Sequence, residues 1–178
     1  MNRFILPLAF LVTTVSVCDE KNRPPSTPDD RANAVQVARA LESNPLGKEA
    51  KKQRNWIVHW LIQVPDISVT LCANLLGPIL ESDKNYSSEI FSQMAPSSAA
   101  FIIEHPDQAK DQASVYLAGV EGALRAYESI LKAKPKARWP YLDQLIEKRN
   151  SGSLAAHIRE ASPKCDSSDS VVKVVEKK

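Results

Sequence analysis

Three cysteines and three histidines are the residues best equipped for bond-forming or metal chemistry: Cys18, Cys72 and Cys165, and His59, His105 and His157. A metal centre needs such ligands close together, which in sequence takes the form of H-E-x-x-H, C-x-x-C or a related short spacing. None of these occurs, and the histidines stand far apart. His105 adjoins Glu104, but neighbours in a helix do not face each other. Ser129-Ile130-Leu131-Lys132 has the S-x-x-K spacing that sets a lysine amine one turn from a serine hydroxyl. The K-T-G that accompanies it in penicillin-binding proteins is missing. No P-loop or dinucleotide-binding glycine pattern is present. No catalytic, cofactor-binding or metal-ligating residue is assigned, and no cofactor is expected.

Trp56 and Trp60 lie four apart on one helical face, beside His59 and Gln63. An aromatic pair at that spacing either packs in a core or anchors an interface. Trp56, His59 and Trp60 are the candidate interaction surface. Lys48, Lys51, Lys52 and Arg54 make the preceding stretch basic, which suits a solvated helix face or contact with anionic lipid. Asn85-Tyr86-Ser87 is a glycosylation sequon in a polar connection, relevant only in a eukaryote.

Residues 1–18 read as a secretory leader. Met1-Asn2-Arg3 is a short positive start, and Phe4 to Val17 is an uncharged, largely apolar run of about 14 residues. That is short for a bilayer span and right for the apolar core of a leader. Val15-Ser16-Val17-Cys18 resembles a bacterial lipobox, in which the cysteine becomes the lipidated N-terminus. Val17 stands where that pattern prefers Gly, Ala or Ser. The expectation is therefore lipidation at Cys18 or ordinary cleavage near it. Residues 19–29 are polar and proline-rich, which suits a linker. Location follows: exported, either periplasmic or lipid-anchored, with full secretion the lesser alternative.

Setting Cys18 aside leaves Cys72 and Cys165. In an oxidising compartment they can pair, closing a loop of about 94 residues. The alternative is one buried and one exposed thiol.

The elements that must position these residues read as helices. Few glycines and many Leu- and Ala-rich runs favour an all-α fold, an irregular bundle of about six helices over 30–165. A first helix capped by Asp29 or Asp30 has a thin apolar face (Val35, Ala38, Leu41) and should pack peripherally. A second, capped by Asn44 with Pro45 first, runs to about Val64. Ile67, Leu71, Leu75 and Ile79 fall at helical spacing after an Asp66 cap. A helix from Ser87 or Ser88 to Glu104 meets Pro96, which predicts a kink or two short helices. The clearest helix runs from Asp107 to about Ala133. Its stripe is Ala113, Leu117, Val120, Leu124, Tyr127 and Leu131, with Asp111, Glu121, Arg125, Glu128 and Lys132 facing away. Gly119, Gly122, Ala123 and Ala126 would let another helix come close. Trp139-Pro140 opens a further helix, and Ser153 caps a last short one. Residues 166–178 are expected to be a disordered tail.

The pattern W-x-x-x-W…V-P-D-I-x-V-x-x-C from Trp56 to Cys72, followed by F-S-Q-M, I-I-E-H-P-D and the terminal Pro-Lys-Cys, resembles uncharacterised exported helical proteins of bacteria. That resemblance implies no activity. Ala118-Gly119-Val120-Glu121-Gly122-Ala123 resembles the Gly-Val helix of the Rap1a/Tai-type periplasmic immunity proteins, which carry a disulfide. Their cysteine before that helix motif has no counterpart here, where Val115 and Tyr116 stand.

A formal net charge of +2 gives no electrostatic case for nucleic acid. The leading expectation is a non-enzymatic domain that contacts a protein partner in the cell envelope, touching membrane only through a lipid anchor. The alternatives are a periplasmic immunity or chaperone-like protein, and an enzyme or ligand carrier with a site around His59 and Trp60. An exposed apolar patch of several hundred Å² would favour protein contact. A polar pocket joining His59 to another histidine or a carboxylate would favour the enzyme or carrier.

Overall fold

Thr27 starts the first helix. Its hydroxyl accepts from the Asp30 backbone N–H, the Asp30 carboxylate accepts from the Thr27 N–H, and Pro28 fills the first helical position. The cap is thus Thr27, not Asp29 or Asp30, and the helix begins inside the segment expected as linker. The computed structural model describes residues 23–165 and 171–173. The leader, Cys18, residues 19–22 and the rest of the expected tail lie outside the described residues.

Among the described residues seven α-helices follow in order: α1 Pro28–Ser43, α2 Ala50–Gln63, α3 Ser87–Ser92, α4 Met94–Glu104, α5 Gln112–Ala133, α6 Pro140–Asn150 and α7 Leu154–Ala161. The fold is all-α. Two strands of three residues each, β1 Thr70–Cys72 and β2 Val171–Lys173, pair antiparallel with Leu71 opposite Val172. None of the helices among the described residues is long and apolar enough to cross a membrane.

Several expectations need correction. Asn44 ends α1 rather than capping α2, and a turn separates them before Ala50. The spacing of Ile67, Leu71, Leu75 and Ile79 does not make a helix. That segment is extended through β1 and then forms two short 3-10 turns, Ala73–Leu76 and Pro78–Glu81. Gly77 between the turns has φ +64°, and a Cβ there would stand 2.6 Å from the Tyr141 ring. Three residues of the expected tail, 171–173, are strand-paired. α5 begins at Gln112, not Asp107, and Ser153 makes no side-chain cap to α7.

α1 is not peripheral. Ala34, Ala38 and Leu41 are fully buried, and α1 packs on α4, α2 and α5. Pro96 acts as expected by splitting one helix into two. It sits in the first turn of α4, where its missing N–H has no intrahelical partner to lose, and the break falls at Gln93.

α5 is the central helix, packed against α1, α3, α4, α6 and α7. Its buried set is wider than one stripe: Val115, Tyr116, Val120, Ala123, Leu124, Ala126, Tyr127 and Ile130. Ala113, Leu117 and Leu131 are only half-buried. The small-residue face does meet another helix. Cβ atoms at Gly119 and Gly122 would lie 2.6 and 1.9 Å from the hydroxyls of Ser98 and Ser97 on α4.

Tyr127 ties α5 to the entry of α6. Its hydroxyl accepts from the Trp139 backbone N–H at 2.8 Å and donates to Asp143 Oδ1 at 2.9 Å. Burial raises the pKa of this phenol, which keeps it a donor. Trp139 Nε1 donates to the Asn85 carbonyl, and Asn85 Nδ2 donates to the Arg138 carbonyl. The sequon amide is therefore engaged in holding two loops together. Tyr127→Phe strands the Trp139 N–H, and we expect it to lower stability by about 1–3 kcal/mol. Urea titration of the variant checks this. A change below about 0.5 kcal/mol would mean that water replaces the hydroxyl.

Cys72 and Cys165 form a disulfide, with Cα atoms 5.5 Å apart. Cys72 ends β1, and Cys165 ends a 3-10 turn, Ser162–Cys165, that continues α7. Both cysteines are buried.

Candidate functional site

The three residues singled out on α2 diverge in space. Trp56 and Trp60 stack with ring centroids 6.0 Å apart and planes 12° from parallel. Trp60 is 8% exposed and belongs to the core, Trp56 is half-buried beside it, and His59 points to solvent. The inward side of α2 is Ile57, Trp60 and Leu61, so this helix is amphipathic rather than buried all round.

Residues 23–27 run as a strap beside Trp60. Arg23 Nη1 donates to the Ile62 carbonyl at 2.8 Å. Ser26 donates to Asp66 through both its backbone N–H (2.9 Å) and its hydroxyl (2.7 Å). Arg31 donates to the same carboxylate at 2.6 Å and to the Ser26 hydroxyl at 2.7 Å. Desolvation opposes the Asp66 charge, but the Ser26 and Arg31 bonds outweigh it and hold the pKa below the ordinary value. Asp66 thus anchors a strap instead of capping a helix.

Between strap and helix lies a recess of about 530 Å³. Pro24, Pro25, Trp60 and Val64 give it apolar walls; Arg23, Asp30 and Gln63 supply polar groups. Trp60 Nε1 is closed off from solvent and has no hydrogen-bond partner among the described residues. An indole N–H is a donor only, and leaving it unmet when buried costs about 1–3 kcal/mol.

A second polar site was not visible in sequence. Glu42, in the last turn of α1, has a carboxylate only 6% exposed. Its Oε1 accepts from Arg39 Nη1 (2.9 Å), Ser97 Oγ (2.7 Å) and Arg125 Nη2 (3.0 Å), and its Oε2 accepts from Arg125 Nε (2.8 Å). Gln93 Nε2 extends the chain, donating to Ser97 Oγ and to the Ala38 carbonyl. Arg39 also reaches Glu104 at 2.7 Å. Burial pushes the Glu42 pKa up, but the bonds from Arg125 and Ser97 and the charges of Arg125 and Arg39 overcome it, so the net shift is downward. Arg125 was expected to face solvent. It closes over a buried acid instead.

Two hollows flank this clasp. One, of about 530 Å³, is bordered by Phe101, Glu104, His105 and Glu121, and the other, of about 360 Å³, by Ser43, Ser129 and Lys132. Three donors converge on Oε1 of Glu42 and one on Oε2, so the protein itself takes most of its acceptor positions. The clasp is a tie between α1, α4 and α5. Ser129 and Lys132 share a hollow, but no hydrogen bond joins them among the described residues.

Among the described residues, no three His, Cys, Asp or Glu side chains come together as a metal site. The recess lining does not include His59. Leu80 is the one large hydrophobic residue classed as exposed among the described residues. His59 lines none of the three recesses described above. No protein family, curated protein or solved structure matches the chain.

Proposed function

We propose that this chain is an exported, non-enzymatic helical domain of the cell envelope that binds an extended segment of a protein partner beside Trp60. The observation that carries the reading is the buried Trp60 N–H without an acceptor, at a recess walled by prolines and the strap. A peptide carbonyl is the acceptor an indole N–H lacks, and aromatic and proline surfaces suit an extended chain. Nε1 is closed to solvent, so this reading requires a rearrangement around Trp60 on binding. The strap is held by few bonds, Arg23 to Ile62 at one end and the Asp66 cluster at the other. Envelope location rests on the leader-like residues 1–18, on Cys18 at their end, and on a disulfide, which persists in oxidising compartments.

The test places a photo-crosslinking residue at Gln63, which is exposed at the recess, and separately at Lys132 on α5, in cells of the native host. The expected result is a discrete adduct from Gln63 alone, reduced at least about tenfold by Trp60→Phe, which removes the donor and keeps a ring. Adducts from both positions alike, or none from Gln63, would overturn the reading. A thermal melt of the variant shows that its fold is retained.

A further inference from the structure

We infer that the outward face of α2 docks on an anionic lipid surface. Lys48, Lys51 and Lys52 are exposed, and none of them forms an ion pair among the described residues. Arginines form the ion pairs seen between described residues: Arg31, Arg39, Arg125, Arg138, Arg149 and Arg159. α2 contains no Asp or Glu at all, and the one acid beside the lysines is Glu49, just before it. Asn55 and His59 continue the same exposed side at helical spacing, short of the recess. The result is a helix about 21 Å long with cations at one end, polar groups along its outer side and no counter-charge of its own.

Lysine suits this surface. Its ammonium is a mobile point charge on a flexible stem, able to follow lipid phosphates without a fixed partner. The path of the chain selects lipid over another acidic surface. Arg23 is bonded to the Ile62 carbonyl, so the N-terminal side of the described chain leaves at the far end of α2. Cys18 is five residues upstream, and five residues span at most about 18 Å. A membrane attachment at Cys18 would thus lie within about 18 Å of Arg23, at the end of α2 opposite the lysines, and a helix lying flat on that membrane would bring both of its ends to the surface. The inference shares the envelope placement of the proposed function but not its Trp60 recess.

Amine acylation read by mass spectrometry tests it on the full chain as its host processes it. The chain is mixed with vesicles of phosphatidylcholine alone, or with about one third phosphatidylglycerol, in the absence of other protein. This comparison works whether or not Cys18 carries lipid, because a lipid anchor inserts in both. At about 50 mM NaCl, Lys51 and Lys52 should react at least about fivefold more slowly on the anionic vesicles, and this protection should vanish near 500 mM. Lys132 and Lys134, at the end of α5, should react equally on both. In Lys51→Glu/Lys52→Glu, Lys48 should lose its protection. Equal rates for Lys51 and Lys52 on the two vesicles would overturn the inference, as would protection spread evenly over all lysines. Neither outcome bears on Gln63 crosslinking, because no partner protein is present.

Discussion

Replacing Cys72 and Cys165 together by alanine is expected to lower the unfolding free energy by about 4 kcal/mol. The bridge spans 93 residues, more than half of the chain. Cross-linking so long a loop removes much of the freedom of the unfolded state, which is where most of the stabilisation arises in the chain-entropy description. There is also a local effect. β1 is only three residues long and its partner β2 is equally short, so backbone pairing alone does little to fix that corner. Cys72 fastens the end of β1 to the turn after α7, and α7 in turn packs on α5 and α6. Alanine avoids adding a buried hydroxyl at sites that are 0% and 1% exposed. Guanidinium titration of the variant, and of the parent with and without reductant, provides the measurement. The reduced parent should match the variant. A loss below about 1 kcal/mol would mean that the unfolded chain is already compact around this loop. A thiol assay that titrates two reactive groups in the native protein would contradict the bridge itself.

What the sequence disclosed and what it hid divide along physical lines. Local rules worked where one residue decides the outcome: Pro96 broke a helix, and Gly119 and Gly122 admitted α4. Removing Cys18 from the count left the two cysteines that are joined. The segment from Ile67 to Ile79 was misread because a spacing of four is only one of its patterns. Ile67, Val69 and Leu71 are buried and alternate with the less buried Ser68 and Thr70, which is the period of two of an extended chain. Prolines at 65 and 78 bracket that segment and bias Val64 and Gly77, the residues before them, away from helical backbone. Asp66 followed Pro65 and preceded apolar residues, so it resembled a cap. Its true partners, Ser26 and Arg31, lie 40 and 35 residues away, and no local rule reaches them. The Trp56–Trp60 pair was legible as an aromatic face. The recess beside it was not, because its other wall is a stretch that composition marks as a linker.

The clasp was hidden for a related reason, and it carries the second large effect. Glu42 and Arg125 are separated by 83 residues, and each sits among polar neighbours that read as a solvated helix face. Arg125→Met should destabilise the fold by about 3 kcal/mol, because it leaves a buried carboxylate with Arg39 and Ser97 alone. Glu42→Met/Arg125→Met should cost less than that single change, since removing both partners leaves no orphaned charge. The two substitutions are thus expected to be strongly non-additive, and urea titration of the single and double variants measures the coupling. The pH dependence has a definite sign. Glu42 binds its proton less readily when folded than when unfolded, since its folded pKa lies below the ordinary 4.5. Its contribution is therefore complete above pH 4.5 and is lost as pH falls from there through the lowered folded value. Asp66 acts in the same direction from its ordinary 3.8 and would free the strap in the same acid range. The parent should lose stability on acidification below 4.5, and Glu42→Met/Arg125→Met should lose less of it over the same interval. Parallel pH profiles for the two proteins would show that the clasp does not set the acid limit.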